Sequence, residues 1–380
     1  MQSKPSSFAL IAALVLSLTS VHRLYAQGPA QAVRKPKIPP QALWVMNEQD
    51  ISVFQPARLK ENGRVGLYLI KNTYEAGAIT FDSSHDLWIG SCDFGYDIGA
   101  LIELTPAGLR HLVAFGSAKP SVIIQDVPSS NANTEYLGCP RGFQFDGSGN
   151  LWVQSTDTPR HGQALLEYAK NDLQASGSPL PIATIETPAV GYGFGPVGMA
   201  LDHVGNLWLV DSGFAEYTAA QLAAGIQTDP NQTVNSEAFT ATSFFPSAIA
   251  FDSSNNLWAT SSYGGSFNSG ELEMFAAEDL NGQGTVAVAP AITIDAVSFG
   301  KPVTHSFDDP LSLAFDNEGD LWIGNRSQAP NAGPGLVEFT PSQLSTSGNP
   351  MPARSIIVRV NPRGTSSGTP YYMMFGPPLP

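Results

Sequence analysis

The sequence predicts an all-β protein, a six-bladed β-propeller of four-stranded antiparallel blades. One reason is a motif in which Phe-Asp or Leu-Asp is followed, after four residues, by Leu-Trp. Its aspartates are spaced by 64, 56, 50 and 64 residues, a self-similarity typical of repeat architectures. A second reason is composition, because 36 glycines, 30 prolines and only 14% charged residues favour strands and turns. The copies lie at 81–88, 145–152, 201–208, 251–258 and 315–322.

Each copy predicts a β-hairpin. In the fourth copy an apolar strand ends at Phe251, a turn opens at Asp252, and a second strand resumes at Leu257. A short Asp carboxylate accepts backbone N–H groups two residues on, and Gly or Asn follows where positive φ is needed. We therefore assign the motif aspartates to turn capping, and the alternative is a catalytic role. They are Asp82, Asp146, Asp202, Asp252 and Asp316.

A third and a fourth strand complete each repeat of about 60 residues, the length of a propeller blade with long loops. The third strand sets an acidic or aromatic residue among aliphatic ones, and the fourth follows a polar, glycine-rich segment. The alternative fold is a parallel β-helix, whose rungs are usually shorter. The third strands are predicted at 101–104, 165–168, 271–275 and 336–339, and the fourth at 122–125, 182–185, 292–294 and 355–358.

The sixth blade is predicted to combine both ends of the chain. Pro370–Phe375 repeats the inner-strand pattern of Pro with Phe or Leu five residues on, but no Trp strand follows it. Leu43-Trp44-Val45 supplies that missing strand, and 51–54 and 67–70 supply the third and fourth. Closing the ring removes exposed strand edges. We number the blades 1 to 6 by their tryptophans: Trp88, Trp152, Trp208, Trp258, Trp322 and Trp44.

All six tryptophans of the chain then occupy one equivalent position. A large aromatic side chain repeated at the same place in every blade indicates packing between blades. The alternative is a stacking surface for bases or sugars.

The N-terminus predicts a secretory signal peptide at 1–26, with Lys4 before the apolar run Phe8–Leu18 and Ala26 at the cleavage point. The run is too short to span a bilayer, and an uncleaved anchor is the alternative. Residues 27–40 are rich in proline and predict a linker, so the propeller is expected at 41–380. We expect a secreted or periplasmic protein without a membrane span in the mature chain.

The chain is acidic, with 33 acidic against 19 basic residues and a formal net charge of −14. Removal of 1–26 deletes Lys4 and Arg23 and no acidic residue, which leaves 17 basic residues and a charge of −16. Such a surface repels phosphate groups and argues against nucleic acid and anionic lipid as partners.

The two cysteines predict one disulfide. Cys92 follows the second strand of blade 1, and Cys139 precedes Pro140, which opens the inner strand of blade 2. Those strand ends share the face of a propeller on which the channel mouth lies, so the two thiols are expected close together. An oxidising compartment favours their pairing. The alternative is a pair of buried, reduced thiols.

The Phe-Asp-x-x-Gly/Asn-Asn/Asp-Leu-Trp-Val/Ile units resemble NHL-type repeats and the six-bladed propellers of the gluconolactonase and senescence-marker-like superfamily, over nearly all of 41–380. Lactonase-like members hold a divalent cation with a Glu before one inner strand and Asn and Asp after others, and such oxygen ligands suit Ca²⁺. Glu75, Asp211 and Asn325 are the positions that the resemblance implies here. Their ring neighbours are Ser, and no residue matches the catalytic base, so we assign no cofactor and no catalytic residue.

Propellers bind ligands where loops converge at the mouth of the central channel. Three residues past each Trp the chain places a small polar residue, which either lines this mouth or caps a strand end. These are Asn47, Ser91, Ser155, Asp211, Ser261 and Asn325. Loops that enter the inner strands add Glu75, Glu135, Arg141, Tyr192, His305, Asp308 and Asp309. The ligand-binding candidates are Asn47, Glu75, Arg141, Asp211, His305, Asp309 and Asn325.

The sequence carries no Gly-x-Ser-x-Gly, His-Glu-x-x-His, Walker-type or Cys-x-x-Cys motif. His161 and His305 could act as a general acid and a general base only across the channel, because they belong to opposite blades. We therefore expect a binding or interaction module that uses the channel mouth, with a small molecule, a protein or a peptide as its partner. The alternatives are a metal-dependent hydrolase or lyase acting on a small lactone or sugar, and a structural surface protein.

Overall fold

The computed structural model divides the chain into two units, Met1–Pro39 and Pro40–Pro380. The predicted signal peptide and all of the linker before Pro39 lie outside the described residues and stay predictions. The described ranges are 39–47, 50–63, 68–71, 76–92, 99–125, 137–158, 162–186, 198–210, 213–224, 229–236, 244–263, 270–299, 304–326, 335–357 and 370–379.

The described chain is mostly β-structure. Two α-helices are present, α1 (Pro106–Phe115) and α2 (Ala219–Ala224), and short 3₁₀ turns lie at Arg58–Lys60, Lys170–Gln174 and Ala277–Leu280. Within the described ranges, a helix of the length and apolar character needed to cross a membrane is not found.

The strands follow in chain order. They are β1 (Ala42–Met46), β2 (Asp50–Phe54), β3 (Tyr68–Lys71), β4 (Ala76–Phe81), β5 (Leu87–Ser91), β6 (Ala100–Leu104), β7 (Val122–Gln125), β8 (Cys139–Phe145), β9 (Leu151–Thr158), β10 (Gly162–Tyr168), β11 (Ala183–Glu186), β12 (Met199–Leu201), β13 (Leu207–Val210), β14 (Phe214–Tyr217), β15 (Gln232–Ser236), β16 (Phe244–Phe251), β17 (Leu257–Tyr263), β18 (Glu271–Phe275), β19 (Gly284–Val288), β20 (Ile292–Asp295), β21 (Ser298–Phe299), β22 (Thr304–His305), β23 (Pro310–Phe315), β24 (Leu321–Asn325), β25 (Leu336–Phe339), β26 (Arg354–Ile356) and β27 (Tyr372–Gly376).

Six antiparallel blades are formed, which confirms the predicted six-bladed propeller. Each has four strands in antiparallel succession. The blades, from inner to outer strand, are β4-β5-β6-β7, β8-β9-β10-β11, β12-β13-β14-β15, β16-β17-β18-β20, β23-β24-β25-β26 and β27-β1-β2-β3. Strands β21 and β22 form a separate two-stranded ribbon before blade 5.

The ring closes through the two ends of the chain, as predicted. Strand β27 pairs antiparallel with β1 and sets Trp44 opposite Met374. The indole N–H of Trp44 also donates to the carbonyl of Pro377 at 3.0 Å. The inner strand of blade 6 therefore comes from the C-terminal segment, and its other strands come from the N-terminal one.

Each motif aspartate caps its turn, so the capping assignment is confirmed. Its Oδ1 accepts the backbone N–H groups two and four residues on, at 2.8 to 3.0 Å in all five turns. The third residue after the aspartate has positive φ, which Gly and Asn adopt at low cost. These residues are His85, Gly149, Gly205, Asn255 and Gly319, with φ between 64° and 89°.

The tryptophans pack between blades, as predicted. Trp44 meets Phe81 of the next blade edge to face, with ring centroids 5.0 Å apart. Trp258 meets Phe315 in the same way at 6.2 Å. All six indoles are 3% exposed or less, so they supply the apolar contact that joins neighbouring blades rather than an open stacking surface.

Blade 3 carries a fifth strand that the repeat pattern did not predict. Strand β19 lies in the connection between β18 and β20 of blade 4, yet it pairs parallel with β15 of blade 3. Gly284 N–H donates to the carbonyl of Asn231 at the start of this pairing, at 2.9 Å. The two blades are therefore joined by backbone hydrogen bonds as well as by packing.

Candidate functional site

The mouth end of each blade is defined by the register of its first two strands. In blades 2, 4 and 5 the small polar residue three positions past the Trp lies opposite the proline near the start of the inner strand. Ser155 pairs with Pro140, Ser261 with Pro246, and Asn325 with Pro310. The Asp turns lie at the opposite ends of the same strands, so a blade has a mouth end and a turn end.

The described members of the polar ring are buried at this mouth end. Asn47 is 2% exposed, and the others, Ser91, Ser155, Ser261 and Asn325, are 0% exposed. The hydroxyls of Ser155 and Ser261 have no hydrogen-bond partner among the described residues. These side chains thus lie within the ends of the blades, beneath the surface at which a ligand would arrive.

Asn325 uses both ends of its amide to hold the segment before the inner strand of blade 5. Its Nδ2 donates to the carbonyl of Ser306 at 2.9 Å, and its Oδ1 accepts the N–H of Asp308 at 3.2 Å. Asp308 is itself buried. These contacts cap the end of the strand, so of the two expected roles Asn325 has the capping one.

Asn47 has a similar place in blade 6. Its Nδ2 donates to the hydroxyl of Ser52 at 2.9 Å, and its backbone N–H donates to the carbonyl of Asp50 at 2.7 Å. Its Oδ1 is buried without a partner in the described part of the chain. One acceptor at this end of blade 6 therefore remains open to a water molecule or a ligand.

Two charged candidates lie where inner strands begin. Arg141 occupies the bulge between Pro140 and Gly142, where the register of β8 shifts, and it is partly exposed. Asp309 has φ 54°, an unusual conformation for a residue with a side chain, and its carboxylate lies 3.6 Å from Arg326. Both are placed at the mouth end of their blades.

The other candidates cannot be positioned. Glu75, Asp211, Glu135, Tyr192 and His161 lie outside the described residues. His305 is described only through its backbone, which pairs with Ser298 in the two-stranded ribbon. The acid–base pairing of His161 with His305 therefore stays a prediction.

A small cavity, partly open to solvent, lies among the inner strands of blades 3, 4, 5 and 6. Two serines on its wall join neighbouring blades: Ser247 donates to the carbonyl of Pro310 at 2.5 Å, and Ser312 donates to the carbonyl of Pro370 at 2.7 Å. The cavity is lined by Gly198, Met199, Ser247, Ala248, Ile249, Leu311, Ser312, Leu313, Tyr371, Tyr372 and Met373.

The lining of this cavity is neutral. Burial raises the pKa of Tyr372 to about 12, so its phenol stays protonated at any physiological pH. Sequence reasoning assigned 370–375 to the closing strand and missed its contribution to the cavity. The usable signal was position, because Ser247, Leu311 and Tyr371 each directly follow the proline that opens an inner strand.

Acidic side chains with raised pKa lie elsewhere. At the turn ends, burial is the first cause of the raised pKa of Asp86, to about 6, and of Glu338, to about 7, where Arg354 opposes it. In blade 4, burial followed by the Glu271 carboxylate raises the pKa of Glu273 to about 8. Burial and then Asp295 raise the pKa of Glu271.

The described donors at the mouth do not fit the calcium site that the family resemblance implies. That site needs carboxylate and carbonyl oxygens directed at one point. The amide oxygen of Asn325 accepts a hydrogen bond from a backbone N–H, and the ring positions at 91, 155 and 261 are buried serines. The other two implied ligands, Glu75 and Asp211, lie outside the described residues.

The disulfide between Cys92 and Cys139 is present, as predicted. The two Cα atoms are 4.3 Å apart, and the bond joins the residue directly after the second strand of blade 1 to the inner strand of blade 2. Cys139 is 7% exposed. The crosslink therefore lies at the mouth end and fixes two neighbouring blades there.

No family model matches the sequence, and no curated protein matches it. Among solved structures, regucalcin from Agrobacterium tumefaciens, a calcium-binding protein, is 11% identical over 82% of this chain and 87% of that chain, with a TM-score of 0.44. A gluconolactonase from Xanthomonas campestris is 11% identical over 76% and 93%, with a TM-score of 0.40. A Lactobacillus plantarum protein is 10% identical over 89% and 99%, with a TM-score of 0.47. The six-bladed architecture itself rests on the strand pairing described above.

Proposed function

We propose that this protein is a binding module whose ligand enters the central channel from the mouth end. The observation that carries the proposal is the cavity among four inner strands, whose lining combines Ser247, Ser312 and Tyr372 with methionine and leucine residues. Concave, mostly apolar sites with a few polar groups are the usual form of small-molecule sites.

The lining selects the class of ligand. Its side chains carry no charge, so a neutral molecule or peptide segment with both apolar surface and hydroxyl or amide groups suits it. The net charge of the chain, −14, disfavours an anionic ligand. The phenol of Tyr372 serves as a hydrogen-bond donor there and not as a base.

Arg141 and Asp309 are proposed as the charged groups that a ligand passes at the entrance. Asn47, Glu75, Asp211, His305 and Asn325 complete the proposed mouth. For Asn47 the support is its unpartnered amide oxygen. Asn325 contributes by holding the 306–308 segment in place.

The proposed setting lies outside the cytoplasm, in the medium or the periplasm. Two features support it: the disulfide between Cys92 and Cys139, and the signal-like sequence of 1–26.

A thermal-shift screen tests the proposal, with neutral mono- and oligosaccharides and short neutral peptides as probes. The variant Leu311→Trp fills the cavity, and Val204→Trp adds the same ring at a position that is 72% exposed at a turn end. A probe that raises the Tm of the wild type and of Val204→Trp, but not of Leu311→Trp, supports the proposal. A probe that stabilises all three proteins equally binds elsewhere.

The same preparation is assayed for hydrolysis of glucono-1,5-lactone by proton release, with and without 1 mM to 5 mM Ca²⁺ (roughly the range that weak protein sites need). Calcium-dependent turnover abolished by Leu311→Trp would replace the binding proposal with the lactonase alternative.

A further inference from the structure

In blades 2 and 3 an asparagine side chain bridges two carboxylates at the turn end. Asn206 Nδ2 donates to Asp202 Oδ2 at 2.9 Å and to Glu216 Oε1 at 2.8 Å. Asn150 bridges Asp146 and Glu167 in the same way. The amide N–H groups let two acidic groups lie close together because they supply the donors that carboxylates need.

Blade 5 has an aspartate in place of this asparagine. Asp320 occupies the bridging position between Asp316 and Glu338, and it brings a third carboxylate where blades 2, 3 and 4 have an asparagine donor. One oxygen from each of these three residues lies within 4.8 Å of the other two. Arg354 forms an ion pair with Oε1 of Glu338, while the neighbouring Asp320 carboxylate, when ionised, offers no donor to the other oxygen.

Two atoms buried at this place lack partners among the described residues. One is Oε2 of Glu338, in a side chain that is 1% exposed, and the other is Nε1 of Trp322, also 1% exposed. Trp322 stands opposite Glu338 in the strand register. Each buried polar group without a partner costs roughly 1 to 3 kcal/mol, so such groups usually mark a missing water, ion or ligand.

In other blades the indole N–H of the tryptophan has an acceptor. Trp258 donates its indole N–H to Oδ2 of its turn aspartate at 2.9 Å, and Trp208 does so at 3.4 Å. In blade 5 the indole N–H has no such acceptor. A cation bound to the carboxylates would give Oε2 of Glu338 a partner, and a water molecule beside it would give the indole N–H an acceptor.

We propose that Asp316, Asp320 and Glu338 form a calcium-binding site at the turn end of blade 5. Calcium ligands are oxygens at about 2.3 to 2.6 Å from the ion, so two ligands on opposite sides lie up to about 5 Å apart. Separations of 4.8 Å or less among the three oxygens are compatible with this geometry. Arg354 keeps Oε1 of Glu338, and water completes the coordination because both aspartates are partly exposed.

The site is independent of the proposed function, since it lies at the end of the blade opposite the channel mouth. Three carboxylates next to an arginine predict weak binding, with a Kd on the order of 10⁻⁴ M. Blade 1 has a similar group, Asp82, Asp86 and Glu103. There, however, Ser121 donates to Glu103 and the Trp88 indole donates to Asp82, so the unpartnered buried atoms are missing.

Terbium luminescence excited through tryptophan, together with the Tm in the presence of CaCl₂ or EDTA, tests the proposal on the purified chain. The key variant is Asp320→Asn. It installs the asparagine that blades 2 and 3 have at this position, so the variant should fold. Glu318→Gln removes an acidic charge from the same turn outside the three-residue group. Asp86→Asn makes the equivalent change in blade 1.

We expect calcium to raise the wild-type Tm and to displace terbium, and we expect Asp320→Asn to weaken terbium binding at least tenfold. Glu318→Gln and Asp86→Asn should retain binding within about threefold. Loss of binding in Asp86→Asn but not in Asp320→Asn overturns the assignment to blade 5. Absence of any calcium effect also overturns the proposal. In that case, a wild-type stability that rises on acidification, and an Asp320→Asn stability that does not, would indicate that Asp320 and Glu338 share a proton.

Discussion

The hydroxyl of Ser236 in blade 3 lies 3.4 Å from Oε2 of Glu273 in blade 4, across the boundary between the two blades. Glu273 is 0% exposed, and its Oε1 has no partner among the described residues. In blades 1, 2, 3 and 5 a glutamate of the third strand stands opposite the Trp, as Glu216 stands opposite Trp208. In blade 4 that place belongs to Met274, and Glu273 stands opposite Ala259, so its side chain lies on the other face of the sheet.

The first prediction follows from this burial. The pKa of Glu273 rises from its ordinary value of 4.5 to about 8, so the folded protein keeps a proton that the unfolded chain loses. Stability must therefore fall as pH rises from about 5 to 8, by on the order of 3 kcal/mol from this group. Glu273→Gln should flatten this part of the profile and stabilise the protein at pH 8.

Urea unfolding at pH 5 to 9 measures this effect, and Glu278→Gln, an exposed position in the same blade, is the control. Asp86 and Glu338 contribute slopes of the same sign, so the comparison is between variant and wild type. Equal slopes for Glu273→Gln and the wild type would show that Glu273 is ionised in the folded protein.

The second prediction concerns ring closure. Deletion of 370–380 removes β27, exposes the edge of β1 and leaves the Trp44 indole N–H without its acceptor. We expect a large loss of Tm and aggregation through the open edge. Deletion of 377–380 alone is the control, because it removes the Trp44 acceptor but keeps the strand. Equal melting of the 370–380 deletion and the full chain would contradict the closure.

The third prediction concerns the disulfide. Cys92 and Cys139 are 47 residues apart, and the chain-entropy model assigns about 4 kcal/mol to a loop of that length. The double variant Cys92→Ala with Cys139→Ala should unfold at a lower urea concentration, with a free energy of unfolding reduced by about 4 kcal/mol. Thiol titration of the unfolded, unreduced wild type should find no reactive thiol, and two per chain would contradict the crosslink.

The fourth prediction concerns the turn aspartates. Asp252 accepts two backbone N–H groups, the amide of Asn256 and the indole of Trp258. Asp252→Ala leaves these donors without an acceptor and should cost roughly 2 to 4 kcal/mol. Ser254→Ala changes an exposed side chain in the same turn and should be nearly neutral. Similar urea midpoints for the two variants would exclude a capping role.

The features that could be predicted from the sequence are those with a local signature. The Asp turn, the Leu-Trp strand and the proline of the inner strand recur with fixed spacing, so the blades, their closure at Trp44 and the neighbouring positions of Cys92 and Cys139 followed. Strand β19 has no such signature, because its parallel pairing joins two repeats far apart in sequence. Burial of the polar ring also depends on how blades approach one another, which spacing alone does not give.

The candidate site was harder to predict for a related reason. Asn325 looked like a ligand because of its position past Trp322, yet its amide is engaged by the backbone of 306–308. A polar residue three positions after each Trp shows where in the blade its backbone lies, but it does not show which group its side chain contacts. The proline before Leu311 and the one before Tyr371 mark inner strands, but the cavity that these strands share forms only where four inner strands converge.

Strand β19 has a consequence for cooperativity. Repeat proteins lose their repeats one at a time when each contacts its neighbours only through weak interfaces. Here a segment of blade 4 is hydrogen bonded into blade 3 along the whole of β15. Opening either blade must break that ladder, so the amides of β15 and β19 should exchange with solvent deuterium together, as one cooperative unit that spans two blades.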